Sequence, residues 1–202
     1  MISETYVIEH HNFGRMKLLS LILLVMGSLP LVQAQGYFQQ RVDYVMEAEL
    51  DTTAQELTVT GEMTYVNASP DALDQLVMHL WWNAFGDVRS AFALQQFEMG
   101  SYEFHYAKDE DRGQYRDLQF SAEGSALEMQ PYQGEQGRHS DIALLKLAEP
   151  IGPGEEQTLQ FSYVLKIPKV FSRPGHDGSL YRMTQWYPKP CLLYTSPSPR
   201  DS

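Results

Sequence analysis

The sequence predicts an all-β protein: an antiparallel β-sandwich domain with one short helical segment, preceded by a signal peptide. Three observations support this fold class. Apolar and polar residues alternate with period two over long stretches, which is the pattern of strands that bury one face. Turns rich in Gly and Pro separate these stretches. No heptad repeat and no long amphipathic helix interrupts them.

The first two strands are predicted at residues 42–50 and 57–67, with a hairpin loop at residues 51–55 between them. The second strand would be roughly 36 Å long if it were fully extended at about 3.3 Å per residue. Because that is long for a globular strand, Gly61 is expected to mark a bulge or a bend where the sheet curls.

The middle of the chain is less regular. A third apolar strand is predicted at residues 75–82, and a short helix at residues 91–97. Two further strands are predicted at residues 101–107 and 115–120, on either side of a charged loop at residues 108–112.

Regular alternation returns toward the end of the domain. A strand is predicted at residues 142–147, a turn at residues 149–154 and a last long strand at residues 158–167. The apolar residues of this last strand all fall on one face, namely Leu159, Phe161, Tyr163, Leu165 and Ile167.

Composition and charge exclude several classes of protein. Hydrophobic residues make up 43% of the 202 residues and charged residues 20%, which is the balance of a globular domain rather than a disordered chain. The net charge of −11 argues against a nucleic-acid partner, because phosphate binding needs clustered Lys and Arg. Cys191 is the single cysteine, so a disulfide framework or a thiolate zinc cluster within the chain is excluded.

Residues 1–34 are predicted to be an upstream extension followed by a signal peptide. An apolar run follows Lys17, and residues 32–34 (Val-Gln-Ala) have the small-residue spacing of a signal-peptidase site. Met16 is then the expected start, and Gln35 the first mature residue. The apolar run is too short and too broken for a stable membrane span. We therefore expect export to the periplasm or the extracellular space.

Residues 191–202 resemble the translation of a transposon-type sequencing adapter. The β-domain is accordingly expected to span residues 35–190, and Cys191 is assigned no function. A disordered native tail rich in Ser and Pro is the alternative interpretation.

Motif searches predict no catalytic residue and no metal ligand. The sequence lacks the His-Glu-x-x-His spacing, which places two imidazoles and a carboxylate base on one helix face. It also lacks a Gly-x-Ser-x-Gly nucleophile elbow. Four histidines of the β-domain are isolated, so each is expected to be a surface or hydrogen-bonded residue: His79, His105, His139 and His176.

Two other features leave alternatives open. Trp81 and Trp82 are adjacent, so one is expected to face the core and the other the outside. The pair is interpreted either as core and interface packing or as a platform for carbohydrate stacking. Asn67 begins an Asn-Ala-Ser glycosylation sequon, which matters only in a eukaryotic secretory pathway.

Several short motifs follow one another in a defined order between residues 37 and 190. They are Tyr44-x-Met46-x-Ala48-x-Leu50-Asp51, Leu57-x-Val59-x-Gly61-Glu62-Met63-x-Tyr65-x-Asn67-x-Ser69, the strand from Leu76 to Leu80 with Asn83, the strands leading to Pro168, Phe171-Ser172-Arg173-x-Gly175, and Thr184-Gln185-Trp186-Tyr187-Pro188-Lys189-Pro190. In this order and spacing they resemble the N-terminal domain of M1-family zinc metallopeptidases, the aminopeptidase N type, and in particular a secreted bacterial branch.

The resemblance implies a saddle-shaped N-terminal β-domain that packs over a thermolysin-like catalytic domain of the same protein. That second domain, which this chain lacks, would supply the zinc and the general base. The fragment itself would then need no cofactor and would hydrolyse nothing.

One site residue follows from the resemblance. Gln185 matches a Thr-Gln step whose glutamine lines the pocket for the N-terminal residue of a peptide substrate, and an amide can both accept from an ammonium and donate to a carbonyl. The alternative is that Gln185 only ties the final strand to its neighbour. For the whole chain, the alternative is a stand-alone β-sandwich module that binds glycans or a protein partner.

Overall fold

The computed structural model describes residues 38–132 and 139–191. Strands account for 48% of it and helical segments for 14%, and every pairing between named strands is antiparallel, so the predicted all-β class is confirmed. The strands are β1 (Arg41–Asp51), β2 (Glu56–Val66), β3 (Leu73–His79), β4 (Tyr115–Ala122), β5 (Ser125–Ala126), β6 (Met129–Pro131), β7 (Ile142–Ile151), β8 (Glu156–Lys166), β9 (Gly175–His176), β10 (Tyr181–Arg182) and β11 (Lys189–Pro190).

These strands form two main sheets around one core. The larger sheet has the order β1-β2-β8-β4-β5, the smaller sheet has the order β11-β3-β7-β6, and β9 pairs with β10 in a separate ribbon. Buried residues of both main sheets belong to a single apolar cluster, which is the arrangement of a β-sandwich. The cluster includes Val59 and Met63 from β2, Met78 from β3, Leu145 from β7 and Leu159 from β8.

The predicted opening hairpin is confirmed. β1 and β2 pair in continuous register from Arg41–Val66 to Asp51–Glu56. At the turn, the Asp51 carboxylate accepts hydrogen bonds from the backbone N–H groups of Ala54 and Thr53, at 3.0 and 2.7 Å. These two bonds lower the pKa of Asp51, and they close the loop locally without help from the core.

Gly61 does not mark a bulge, so that part of the prediction is wrong. The register of β2 passes through Gly61 unbroken against both β1 and β8. A Cβ atom at this position would lie 2.5 Å from the Val45 carbonyl oxygen and 3.0 Å from Phe161 Cζ. Glycine is therefore required here because a side chain would collide with these neighbouring groups. Register shifts lie elsewhere, in β4 between Arg116 and Gln119 and in β3 between Leu73 and Gln75.

The long strand at the end of the domain follows the prediction closely. Its predicted inward residues in β8 are all buried, as is Ile167 just beyond it. The preceding strand runs further than expected, since β7 continues through residues 149–151. The turn that was predicted at residues 149–154 therefore lies at residues 152–155, where Gly154 has a φ of +78°.

Helical turns replace two of the predicted strand segments. The third strand ends at His79, and Trp81–Phe85 form a 3₁₀ helix, so the prediction of strand up to residue 82 is wrong. Residues 101–107 contain the short helix α2 (Glu103–Tyr106) rather than a strand. A helical turn buries Phe104 in a small cluster with Phe85 and Ala93, while the flanking tyrosines remain exposed.

The predicted helix is present as α1 (Ala91–Glu98). Ser90 caps it: its hydroxyl accepts from the Ala93 backbone N–H at 3.1 Å and donates to the Ala84 carbonyl at 2.7 Å. The charged loop at residues 108–112 is confirmed as a connection that includes the 3₁₀ turn Asp109–Asp111.

The predicted signal peptide and the extension before it lie outside the described residues, as does the segment after Cys191. Within the described ranges, no helix is long and apolar enough to cross a membrane. Cys191 itself donates a backbone hydrogen bond to the Val77 carbonyl at 2.6 Å and carries a free thiol.

Candidate functional site

Gln185 lies at a pocket of about 510 Å³ between the 3₁₀ helix, α1 and the loop before β9. Its walls combine aromatic rings with a small number of polar groups. The lining residues include the aromatic Trp81, Trp82, Phe85 and Phe92 and the polar Gln95, Asp141, Arg173 and Gln185. An apolar cleft with a few convergent polar groups is the usual form of a small-ligand site.

The backbone at Gln185 is in a left-handed conformation, with a φ of +53°. Residues other than glycine adopt this conformation rarely, so the surrounding structure must fix it. The Gln185 side chain is exposed, which leaves its amide accessible to a ligand.

Buried side chains fix the two carbonyl groups on either side of Gln185. The Trp82 indole N–H donates to the Thr184 carbonyl at 2.9 Å. The Trp186 carbonyl accepts from the hydroxyl groups of Tyr115 and Tyr163, at 3.0 and 3.3 Å. These bonds come from the 3₁₀ helix, β4 and β8, so three elements of the core hold one short segment. The acceptors are the backbone carbonyls of the two neighbours of Gln185, and the Gln185 side-chain amide takes no part in these bonds.

The tyrosine hydroxyls that hold this segment remain donors at physiological pH. Burial raises the pKa of Tyr115 and Tyr163 well above the ordinary value for tyrosine. Tyr44, whose hydroxyl donates to the Pro188 carbonyl at 2.9 Å, has its pKa raised by burial and then by Tyr187. The segment from Thr184 to Pro188 is thus fastened at three carbonyls.

One of the two adjacent tryptophans faces the core and the other faces the outside, as predicted. Trp82 is fully buried, whereas Trp81 is 40% exposed at the edge of the pocket. The Trp81 ring stacks on His79, with ring centroids 5.1 Å apart and planes 17° from parallel. One face of the indole is therefore supported by the protein, and the ring can offer a flat apolar surface to a ligand.

Polar groups complete the pocket on the other side. Asp141 contributes a carboxylate, and its backbone carbonyl accepts from the Leu80 N–H at 2.7 Å, which anchors the loop that carries it. Gln95 and Gln185 contribute amides, and Arg173 contributes a guanidinium. Such a set can bind a ligand that carries both an ammonium and a carbonyl group.

The histidines do not form a metal site in the described ranges. His79, His105, His139 and His176 lie on separate elements, and no group of three or more His, Cys, Asp or Glu side chains could hold an ion there. Burial, followed by the nearby Lys169, lowers the pKa of His176. The described residues therefore do not fit a catalytic zinc.

Asn67 lies in the fold and not on the surface. Its side chain is fully buried, and its amide nitrogen donates to the carbonyls of Asp71, Ile151 and Gly152 at 2.8, 2.9 and 3.2 Å. Attachment of a glycan to this nitrogen is incompatible with the folded state, whatever the cell that makes the protein.

Sequence reasoning found Gln185 and the tryptophans but missed Asp141, Gln95 and Arg173. These three residues sit on separate loops and a helix, and no spacing in the sequence connects them. The signal that could have pointed to Asp141 is its place directly before a strand, at the same edge where the preceding strand ends.

No protein-family model matches the chain, and comparison with curated proteins finds no relative. The resemblance to the N-terminal domain of M1 peptidases therefore stays a prediction.

Proposed function

We propose that this chain is the N-terminal, substrate-side domain of an exported zinc aminopeptidase, which also docks against the catalytic domain of the same protein. The observation that carries the proposal is the position of Gln185. Its backbone is held in a rare conformation by buried donors, and its amide stands in a pocket with an aromatic wall and a carboxylate.

The pocket chemistry suits the free N-terminus of a peptide. The Gln185 amide oxygen can accept from an α-ammonium group, while its NH₂ group can donate to the first carbonyl. The Asp141 carboxylate supplies a complementary negative charge. The aromatic wall formed by Trp81, Phe85 and Phe92 favours a large apolar side chain on the first residue.

In this proposal the chain contributes binding and orientation, and the missing domain contributes the chemistry. A zinc ion there would acidify a bound water for attack on the first peptide bond. Gln185 and Asp141 would hold the N-terminus so that this bond meets the metal-bound water in a reproducible position. The fragment alone is expected to bind such peptides without cleaving them.

The binding test compares two forms of one peptide. We expect the chain to bind a short Phe-initiated peptide with a free amino group, and to bind the N-acetylated peptide at least about tenfold more weakly, because acetylation removes the ammonium charge. Isothermal titration calorimetry measures both. Gln185→Ala should weaken binding of the free peptide. Gln75→Ala, at an exposed position of β3, should leave that binding unchanged.

The activity test uses the full-length protein. Its coding sequence should contain a His-Glu-x-x-His motif with a further glutamate about 19 residues later. Gln185→Ala should lower hydrolysis of substrates with free N-termini, and an unchanged rate would reject the role of Gln185. Mature protein from the native host should begin near Gln35 and be found outside the cytosol. A cytosolic protein with an intact N-terminus would reject export.

A second candidate function is a stand-alone module that binds glycans, and the exposed Trp81 ring beside polar groups favours it. Sugars stack on such rings through their apolar faces. Under this alternative, Trp81→Ala would abolish binding to an oligosaccharide array, and N-acetylation of peptides would change nothing. Peptide binding that depends on the free amino group would instead support the proposal of a peptidase domain.

A further inference from the structure

A second pocket, of about 340 Å³, is lined by Gly86, by the segment from Asp109 to Arg116 and by Lys166 at the end of β8. Three of the side chains that line it are cationic, Arg112, Arg116 and Lys166, and one is acidic, Asp109. This concentration of positive charge is unusual in a chain whose net charge is −11.

The charges of the pocket are only partly compensated. Arg112 Nη1 contacts Asp109 at 2.6 Å, and Arg116 forms an ion pair with Glu56. The Lys166 ammonium donates to the Asp109 carbonyl oxygen at 3.0 Å, which carries no formal charge. Three positive charges against two negative ones leave the site with a net charge of about +1.

Arg112 also has an unused donor. Its side chain is 14% exposed, and its guanidinium lies over the Phe104 ring, 5.6 Å from the centroid. Nη2 donates to the His105 carbonyl at 3.3 Å. The Nε–H group is fully buried, yet no acceptor for it exists among the described residues. Buried donors are almost always paired, so within the described residues this guanidinium, beside a cationic pocket, keeps hydrogen-bonding capacity that it does not use.

The backbone holds the pocket in shape before any ligand arrives. The Lys166 N–H donates to the Gln114 carbonyl at 3.0 Å, and the Gly113 N–H donates to the Phe85 carbonyl at 3.2 Å. A Cβ atom at Gly113 would collide with the Lys166 carbonyl oxygen and with Pro168. The absence of a side chain at Gly113 thus lets the loop bring Arg112 beside the end of β8.

We propose that this pocket binds a tetrahedral oxyanion, a phosphate or sulfate group, between Arg112, Arg116 and Lys166. The cations come from a loop, from β4 and from β8, so they can approach several oxygen atoms from different directions. A planar carboxylate offers only two oxygens to such a set. The volume of the pocket leaves room for a small organic group attached to the anion, as in a phosphate monoester.

The test titrates the purified chain with sodium phosphate in chloride buffer at constant ionic strength. Binding is followed by calorimetry and by the NMR resonance of the Arg112 Nε–H group. We expect saturable binding and a saturable shift of that resonance. Sulfate should behave similarly, and acetate should bind at least about tenfold more weakly. Tighter binding of phenyl phosphate than of inorganic phosphate would identify the ligand as an organic monoester.

Variants localise the binding. Arg116→Gln and Lys166→Gln should each weaken phosphate binding about tenfold, because each removes one charge-assisted contact. Lys146→Gln on β7, in the other sheet, is the matched control and should leave affinity unchanged. No saturable binding, an Arg112 resonance that does not respond, equal affinity for acetate, or equal losses in the control would each overturn the proposal. The NMR measurement needs only the wild-type chain, so it decides the question even if a variant does not fold.

Discussion

At the scale of single residues, Asn67 makes six hydrogen bonds through its side chain. Besides its three donated bonds, its amide oxygen accepts from the Ser69 hydroxyl at 2.6 Å, from the Ser69 N–H at 3.0 Å and from Gln40 at 3.2 Å. Both its amide atoms are therefore satisfied inside the protein. The residue joins the end of β2 to the turn between β7 and β8.

Asn67→Asp tests this network with almost no change in shape. The carboxylate cannot donate, so it would face the Asp71, Ile151 and Gly152 carbonyls as a buried, unpaired charge. We expect a loss of about 3–5 kcal/mol in the free energy of unfolding, measured by urea denaturation. The control Gln75→Glu, exposed on β3, should change stability by less than about 0.5 kcal/mol. Equal effects in the two variants would contradict the network.

At the scale of elements, Gly61 shows how β2 is fitted between two neighbours. The strand lies between β1 and β8 in the larger sheet, and both pass close to its central residue. The resulting prediction is that Gly61→Ala destabilises the sheet by about 1–3 kcal/mol, because Val45 and Phe161 must move apart.

Gly152→Ala is the matched control for that substitution. There the Cβ atom would meet the carboxylate of Glu155, which is the end of a flexible side chain. Its cost should be smaller than that of Gly61→Ala in the same urea titration. If Gly61→Ala were neutral, the close approach across the sheet would not be a constraint.

The cap of α1 gives a second prediction for an element. Ser90 is buried, and its hydroxyl both accepts from the helix and donates to the 3₁₀ helix before it. Ser90→Ala should lower stability by about 1–2 kcal/mol and increase protease cleavage within α1. Ser125→Ala, on an exposed position of β5, should do neither. Faster cleavage in both variants would point to a general loss of stability instead of a local one.

The elements also show how far sequence patterns predict this fold. β1, β2 and β8 were predictable because every second residue in them is apolar; β2 and β8 bury these residues, and the first three in β1 pack partly buried against the core. The prediction of a strand at residues 101–107 failed because aromatic residues are common in strands. In the structure one of them, Phe104, instead packs in a small cluster that it reaches through a helical turn. Local sequence patterns therefore predict well which residues are buried against a sheet. They predict poorly which residues are buried among a few aromatic rings from distant parts of the chain.

At the scale of the whole molecule, three buried tyrosines and the partly buried Tyr44 connect stability to alkaline pH. Burial raises the pKa of Tyr65 to about 12, and it raises the pKa of Tyr44, Tyr115 and Tyr163 as well. The folded state therefore retains these protons at a pH where the unfolded chain, with a tyrosine pKa near 10, has lost them. The contribution of these tyrosines to the free energy of unfolding is therefore complete below pH 10 and is lost as the pH rises above it.

We expect the free energy of unfolding, measured by urea denaturation, to stay constant between pH 8 and 9 and to fall by about 1 kcal/mol or more per pH unit above pH 10. Tyrosinate absorbance during the same titration should rise together with unfolding. Tyr115→Phe should make the fall shallower, because one of the linked groups is removed. A midpoint that stays constant up to pH 11 would refute the linkage.

The candidate site was less predictable than the fold. Gln185 was reached through a resemblance, and its neighbours Asp141, Gln95 and Arg173 come from elements far apart in the sequence. Their meeting depends on how the loops of the two sheets are placed, which no local pattern encodes. The cationic pocket was missed for the same reason, since Arg112 and Arg116 are close in the chain but Lys166 is fifty residues away.

The carbonyl groups beside Gln185 also have a consequence for the order of folding. Their donors Trp82, Tyr115 and Tyr163 are separated from their acceptors by 102, 71 and 23 residues of chain. We expect contacts of such long range to form late in folding, because the entropy of loop closure must be overcome before they contribute. The conformation of Gln185 should then be lost with the first global opening, so that a ligand that needs this conformation would bind only the fully native molecule.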